Sequence, residues 1–102
     1  YLNNARPQGS RWTLGNARGL FRDTELAQNA TRAYIEIAKH YDITPAQLAL
    51  AWCKQVHGVT STIIGATSLE QLKEDIDAFE LTLSDDVLLA IDTIFRNNPM
   101  PY

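Results

Sequence analysis

The fold is decided by the stretch Ser61-Thr-Ile-Ile-Gly-Ala-Thr-Ser-Leu-Glu-Gln-Leu-Lys-Glu-Asp75. Its β-branched start belongs to the run 59–64, which lies between two glycines and predicts one short buried strand. Ser68 then offers a helix N-cap, and Gln71, three residues later, completes a capping-box pattern. The sequence therefore predicts a strand that passes through a turn of small residues directly into a helix.

Three further helices are predicted from caps and apolar periodicity. The first follows Asp23-Thr24 and ends near Tyr41; its apolar face, at steps of four and three, holds Leu26, Ala30, Ala33, Ile37 and Tyr41. The second begins at Thr44-Pro45, because the N–H that proline lacks would be unpaired there. It contains Leu48, Ala51, Trp52 and Val56, and Gly58 is expected to close it in a left-handed conformation.

The last two helices complete the layout. The one after Ser68 is expected to turn Leu72 and Ile76 inward and Lys73 outward. Ser84 caps the final helix, whose apolar face is formed by Val87, Leu88, Ile91, Ile94 and Phe95. A lone strand among these helices leaves its backbone N–H and C=O groups without partners. An apolar strand flanked by helices is typical of a parallel α/β sheet, so we predict an incomplete α/β fold whose neighbouring strands are absent.

Composition excludes several classes of function. The chain of 102 residues has a net charge of −3, and its basic residues are spread out, which argues against a dedicated nucleic-acid binder. No apolar run approaches the roughly 20 residues of a membrane span. We interpret Cys53 as a buried structural cysteine, and one cysteine is consistent with a reducing, cytoplasmic setting. His40 and His57 have no metal-ligand spacing, so no metal site is predicted.

Residues 1–22 read as a long loop with glycines, a proline and no apolar periodicity. The loop carries Arg6, Arg11, Arg18 and Arg22, whose guanidinium groups could close over an anion such as a phosphate. A solvated surface loop is the alternative. We expect this loop to be poorly ordered without a bound partner.

The turn Gly65-Ala66-Thr67-Ser68 is the strongest local candidate for a binding site. Small residues let a ligand approach the backbone, and the first N–H groups of the following helix favour an anion. Ligands in parallel α/β folds bind at the carboxyl ends of strands, where this turn would lie. On local pattern alone, an ordinary capped helix after a strand explains the same residues.

Four segments in order resemble the C-terminal part of the aldo-keto reductases, most of all the branch of Tas-like reductases and potassium-channel β subunits. Gly58-Val-Thr-Ser-Thr-Ile-Ile-Gly-Ala-Thr-Ser-Leu-Glu-Gln-Leu resembles the last barrel strand and its helix. Thr44-Pro-Ala-Gln-Leu-Ala-Leu-Ala-Trp-Cys resembles the helix before that strand, and Phe79-Glu-Leu-Thr-Leu-Ser-Asp-Asp the entry to an extra C-terminal helix. Tyr1-Leu-Asn and Ser10-Arg11 resemble the segment after the seventh strand.

The resemblance implies a (β/α)8 TIM barrel that uses NADPH to reduce aldehydes and ketones. Residues 1–22 would be the cofactor-side loop after strand seven, and residues 23–102 the last helices and strand eight of a single incomplete domain. The cofactor residues implied are Arg11, Gly65, Ala66, Thr67, Gln71, Glu74 and Asp75. Gln71 stands where other branches have arginine, and Asp75 where the family often has asparagine, so NADP over NAD is an implication of the family alone.

The family's catalytic Asp, Tyr, Lys and His lie upstream of the matched segments, so no catalytic residue is assigned here. Tyr34 and Tyr41 are interpreted as packing residues of an outer helix. We expect the chain alone to be inactive and to supply only the adenosine and phosphate end of a cofactor site. Two alternatives stay open: an independent helical interaction or regulatory module that self-associates through its strand, and a parent that regulates a membrane protein.

Overall fold

A computed structural model of the chain describes residues 7–10 and 24–100. Four helices follow one another in the second range: α1 (Glu25–His40), α2 (Pro45–Gln55), α3 (Leu69–Ala78) and α4 (Asp85–Asn97). Residues 7–10 form a turn in which the Ser10 N–H donates to the Pro7 carbonyl at 3.0 Å. All four predicted helices are therefore present, at nearly the predicted positions.

Each helix starts at the N-cap that the sequence predicts. The side chains of Thr24, Thr44, Ser68 and Ser84 accept hydrogen bonds from backbone N–H groups in the first turn of α1, α2, α3 and α4. Such a bond satisfies one of the N–H groups that have no partner within the helix. At α2 the cap is a complete capping box, because the Gln47 side chain also accepts from the Thr44 N–H.

The predicted strand is not observed. Residues 59–64 pair with no other segment in the described ranges, and Ile63 is 98% exposed, so this structure does not show the predicted buried strand. Burial nevertheless alternates from residue 61 to 64, as in an extended backbone whose side chains point to opposite sides. A ladder needs a second strand, and the described part of the chain provides none.

Helix α2 and helix α3 run in the same direction. The Thr44 hydroxyl, at the start of α2, donates to Glu74 in the middle of α3. The Lys54 ammonium, in the last turn of α2, donates to the carbonyls of Phe79 and Leu81 just after α3, at 2.8 and 2.7 Å. Because α2 and α3 are parallel, the connection that contains residues 59–64 must return from the end of α2 to the start of α3, as the strand of a βα unit does.

The segment between α3 and α4 is fixed by a side chain of α2. The Gln55 amide donates to the Leu83 carbonyl at 3.1 Å and accepts from the Leu83 N–H at 2.6 Å. A glutamine side chain here takes the place of a backbone partner for a residue outside regular structure. Helix α2 thus holds both ends of the segment 79–83, through Lys54 at one end and Gln55 at the other.

The core lies between α1, α2, α4 and the segment before α4. It contains the buried residues Ala38, Leu48, Ala51, Leu83, Val87 and Ile91. Alanine at two of these positions lets the helix backbones approach closely. Tyr34 packs against this cluster, so its interpretation as a packing residue is confirmed.

Several predicted inward faces are only partly correct. On α1 the buried residues are Ala30, Ile35 and Ala38, whereas Leu26 and Tyr41 are exposed. The predicted α3 residues Leu72 and Ile76 are also exposed, and so is Phe95 on α4. Apolar periodicity identifies stripes on a helix, but it does not tell which stripe the neighbours in this chain cover. Lys73 is exposed as predicted.

A residue with positive φ follows each of the first two helices. Gly58 has φ +91° as predicted, but it lies in a turn closed by the Val59 N–H and the Val56 carbonyl, while Val56 itself caps α2. After α1, Asp42 has φ +55°. Its N–H donates to the Lys39 carbonyl and that of Ile43 to the Ala38 carbonyl, which together form a Schellman motif.

The helices of residues 24–100 include none with the length and apolar character needed to cross a membrane.

Candidate functional site

The candidate site is the exposed turn at residues 65–68 together with the first turns of α3. All four residues of the turn are exposed. A Cβ built on Gly65 would meet no atom within 4 Å, and its φ is not positive. Glycine is therefore required here neither by packing nor by backbone conformation in the described structure. Gly65 and Ala66 leave the backbone open to an incoming molecule.

Gln71 is held by the turn that precedes its own helix. Its Oε1 atom accepts from both the N–H and the hydroxyl of Thr67, each at 2.9 Å. The predicted capping box is thus only half correct: Ser68 accepts from the Gln71 N–H at 3.1 Å, but the Gln71 side chain returns to Thr67 and not to Ser68. Thr67 provides two donors, its N–H and its hydroxyl, to that one oxygen.

This arrangement determines what Gln71 can bind. A backbone N–H can only donate, so the atom facing Thr67 must be the amide oxygen. No residue in 7–10 or 24–100 accepts from the Nε2 group, which can therefore donate to an acceptor of a ligand, such as a phosphate, ribose or adenine ring atom. At the start of α3 the N–H groups of Leu69 and Glu70 have no acceptor within the helix, and they add to the donors of this region.

Glu74, one turn further along α3, is already engaged. Its Oε1 atom accepts from the Thr44 hydroxyl at 2.5 Å, a short bond typical of a hydroxyl and a carboxylate. Thr44 is the N-cap of α2, so the carboxylate lies close to the positive end of that helix. The structure therefore directs one oxygen of the Glu74 carboxylate to α2, and the predicted contact of this residue with a cofactor stays a prediction.

Helix α3 carries a strong excess of negative charge. Four carboxylates lie on its ten residues, at positions 70, 74, 75 and 77, against one ammonium group on Lys73. Asp75 is half-buried beside Glu74. These charges repel a phosphate and favour a group that donates hydrogen bonds, such as an adenine amino group. An added basic group would be needed to hold a phosphate here.

Arg11, the basic residue predicted for that purpose, lies outside the described residues, as does most of the loop 1–22. Only its positions 7–10 are described, where Gly9 has φ +80° in a turn. The structure thus brings Thr67, Gln71 and the open backbone of Gly65 and Ala66 together and leaves Arg11 untested.

A separate apolar cavity of about 640 Å³ lies between α1, α2 and α4. Its lining includes Tyr34, Leu48, Trp52, Cys53 and Phe95. Cys53, interpreted as a buried structural cysteine, is half-buried at this cavity and is therefore less buried than expected. Burial raises the pKa of the Tyr34 hydroxyl, because removal from water disfavours the phenolate. Among the described residues that line the cavity, Asp92 is the one charged side chain.

His40 and Tyr41, which close α1, pack on each other. Their rings meet edge to face with centroids 5.0 Å apart, and Tyr41 remains partly exposed. Tyr41 thus packs on His40 and does not belong to the buried core. In residues 7–10 and 24–100, no group of three or more His, Cys, Asp or Glu side chains is placed to hold a metal ion.

Comparison with known proteins identifies the class to which this turn and these helices belong. The model of the aldo/keto reductase family matches residues 1–96, and the chain belongs to that family. The chain is 43% identical over 96 residues to the protein tas of Escherichia coli (strain K12), a match that covers 94% of this chain and 28% of the relative. A protein tas from Shigella flexneri matches to the same extent. The chain thus spans just over a quarter of the length of these curated relatives.

Proposed function

We propose that this chain forms the adenosine end of the nicotinamide cofactor site in an aldo/keto reductase that reduces aldehydes or ketones. Family membership supports an oxidoreductase. The observation that carries the site is the Gln71 amide, which is fixed through Thr67 so that its Nε2 donors remain available to a ligand. The cofactor, when bound, supplies the hydride.

The donor set fits the adenosine end of such a cofactor better than it fits a phosphate alone. Gln71 and the first N–H groups of α3 can donate to ribose or phosphate oxygens, and Asp75 can accept from the adenine amino group. Because α3 is acidic, a phosphate near it needs a basic partner, and the family resemblance assigns the cofactor phosphates to Arg11. We therefore propose NADPH, by family resemblance, with Arg11 on its phosphates and with Gly65, Ala66 and Thr67 beneath its adenosine.

The exposed apolar residues support the proposal that the chain is the last part of a (β/α)8 barrel. Ile63, Leu72 and Ile76 were predicted to point inward, and all three are exposed in this chain. In the proposed barrel, residues 59–64 are strand eight, and the other strands and helices of the barrel cover these three side chains. Residues 1–22 form the loop after strand seven, the protein is cytoplasmic, and the 102 residues alone are inactive.

The test is consumption of NADPH by the full-length protein in the presence of a panel of aldehydes and ketones, followed by loss of reduced-nicotinamide absorbance. We expect carbonyl-dependent oxidation by the full-length protein and none by residues 1–102 alone. NADH serves as the matched cofactor. If no carbonyl compound is turned over and neither dinucleotide binds, the reductase proposal is refuted, and a helical interaction module becomes the better explanation.

A further inference from the structure

We draw no further inference here: the strongest candidate, the apolar cavity between α1, α2 and α4, is an unpartnered apolar face, and nothing in residues 7–10 and 24–100 shows what covers it.

Discussion

Replacement of Asp42 by glycine should stabilise the chain, because Asp42 occupies a position that favours glycine. It follows α1 at φ +55°, inside a Schellman motif whose two hydrogen bonds come from the N–H groups of Asp42 and Ile43. A residue with a Cβ in this left-handed region costs about 1–2 kcal/mol, with aspartate at the low end. Its negative charge beside the C-terminus of a helix costs a further 0.3–1 kcal/mol or so.

Glycine loses more backbone entropy on folding, which offsets roughly 0.5–1 kcal/mol of that gain. For Asp42→Gly we therefore expect a net increase of about 1 kcal/mol in the free energy of unfolding. Asp42→Asn keeps the Cβ and removes the charge, so it should recover about half of that increase. The assay is urea unfolding of the 102-residue chain followed by circular dichroism, with the slope compared between variants.

Gly58→Ala is the matched control. Gly58 also has a positive φ, of +91°, and an added Cβ would meet no atom within 4 Å. Any loss of stability there must come from backbone conformation, and we expect about 1 kcal/mol. A lower free energy of unfolding in Asp42→Gly, together with a harmless Gly58→Ala, would refute this account of the backbone.

Two further predictions concern α2 and α1. Lys54→Met keeps the apolar stem of the side chain but leaves the Phe79 and Leu81 carbonyls without their donor. We expect it to lower the free energy of unfolding in urea by about 1–2 kcal/mol, and Lys54→Arg to recover part of that loss. Equal stability of Lys54→Met and the wild type would show that these two hydrogen bonds do not stabilise the fold. Burial raises the pKa of Tyr34 above its usual 10.0, so the folded state holds this proton more tightly than the unfolded state. The contribution of Tyr34 to the free energy of unfolding is therefore complete below pH 10.0 and is lost as the pH rises above that value. The thermal unfolding temperature should fall more steeply across that pH range in the wild type than in Tyr34→Phe.

The helices could be predicted from the sequence because their determinants are local. Thr24, Thr44, Ser68 and Ser84 each cap a helix through atoms three residues away, and Pro45 occupies the first turn of α2. The capping box of α2 could also have been found, since Thr44 and Gln47 have the required spacing. Such features depend on a few consecutive residues and need no knowledge of the rest of the fold.

The features that the sequence did not predict depend on distant residues. A strand at 59–64 requires another strand beside it, and none lies in the described part of the chain. The bonds from Thr44 to Glu74 and from Gln55 to Leu83 join residues about thirty positions apart, so no spacing rule reveals them. At the candidate site, the sequence paired Gln71 with Ser68 and could not show that the Gln71 oxygen accepts from Thr67.

The most direct test of the central claim is the dissociation constant of NADPH for the full-length protein and for Gln71→Ala, with single-turnover hydride transfer measured at saturating cofactor. We predict that Gln71→Ala binds NADPH about tenfold more weakly, because it loses the amide donors and the two bonds that hold Thr67, while the rate of hydride transfer stays the same. An unchanged dissociation constant would show that the turn at 65–71 does not hold the cofactor.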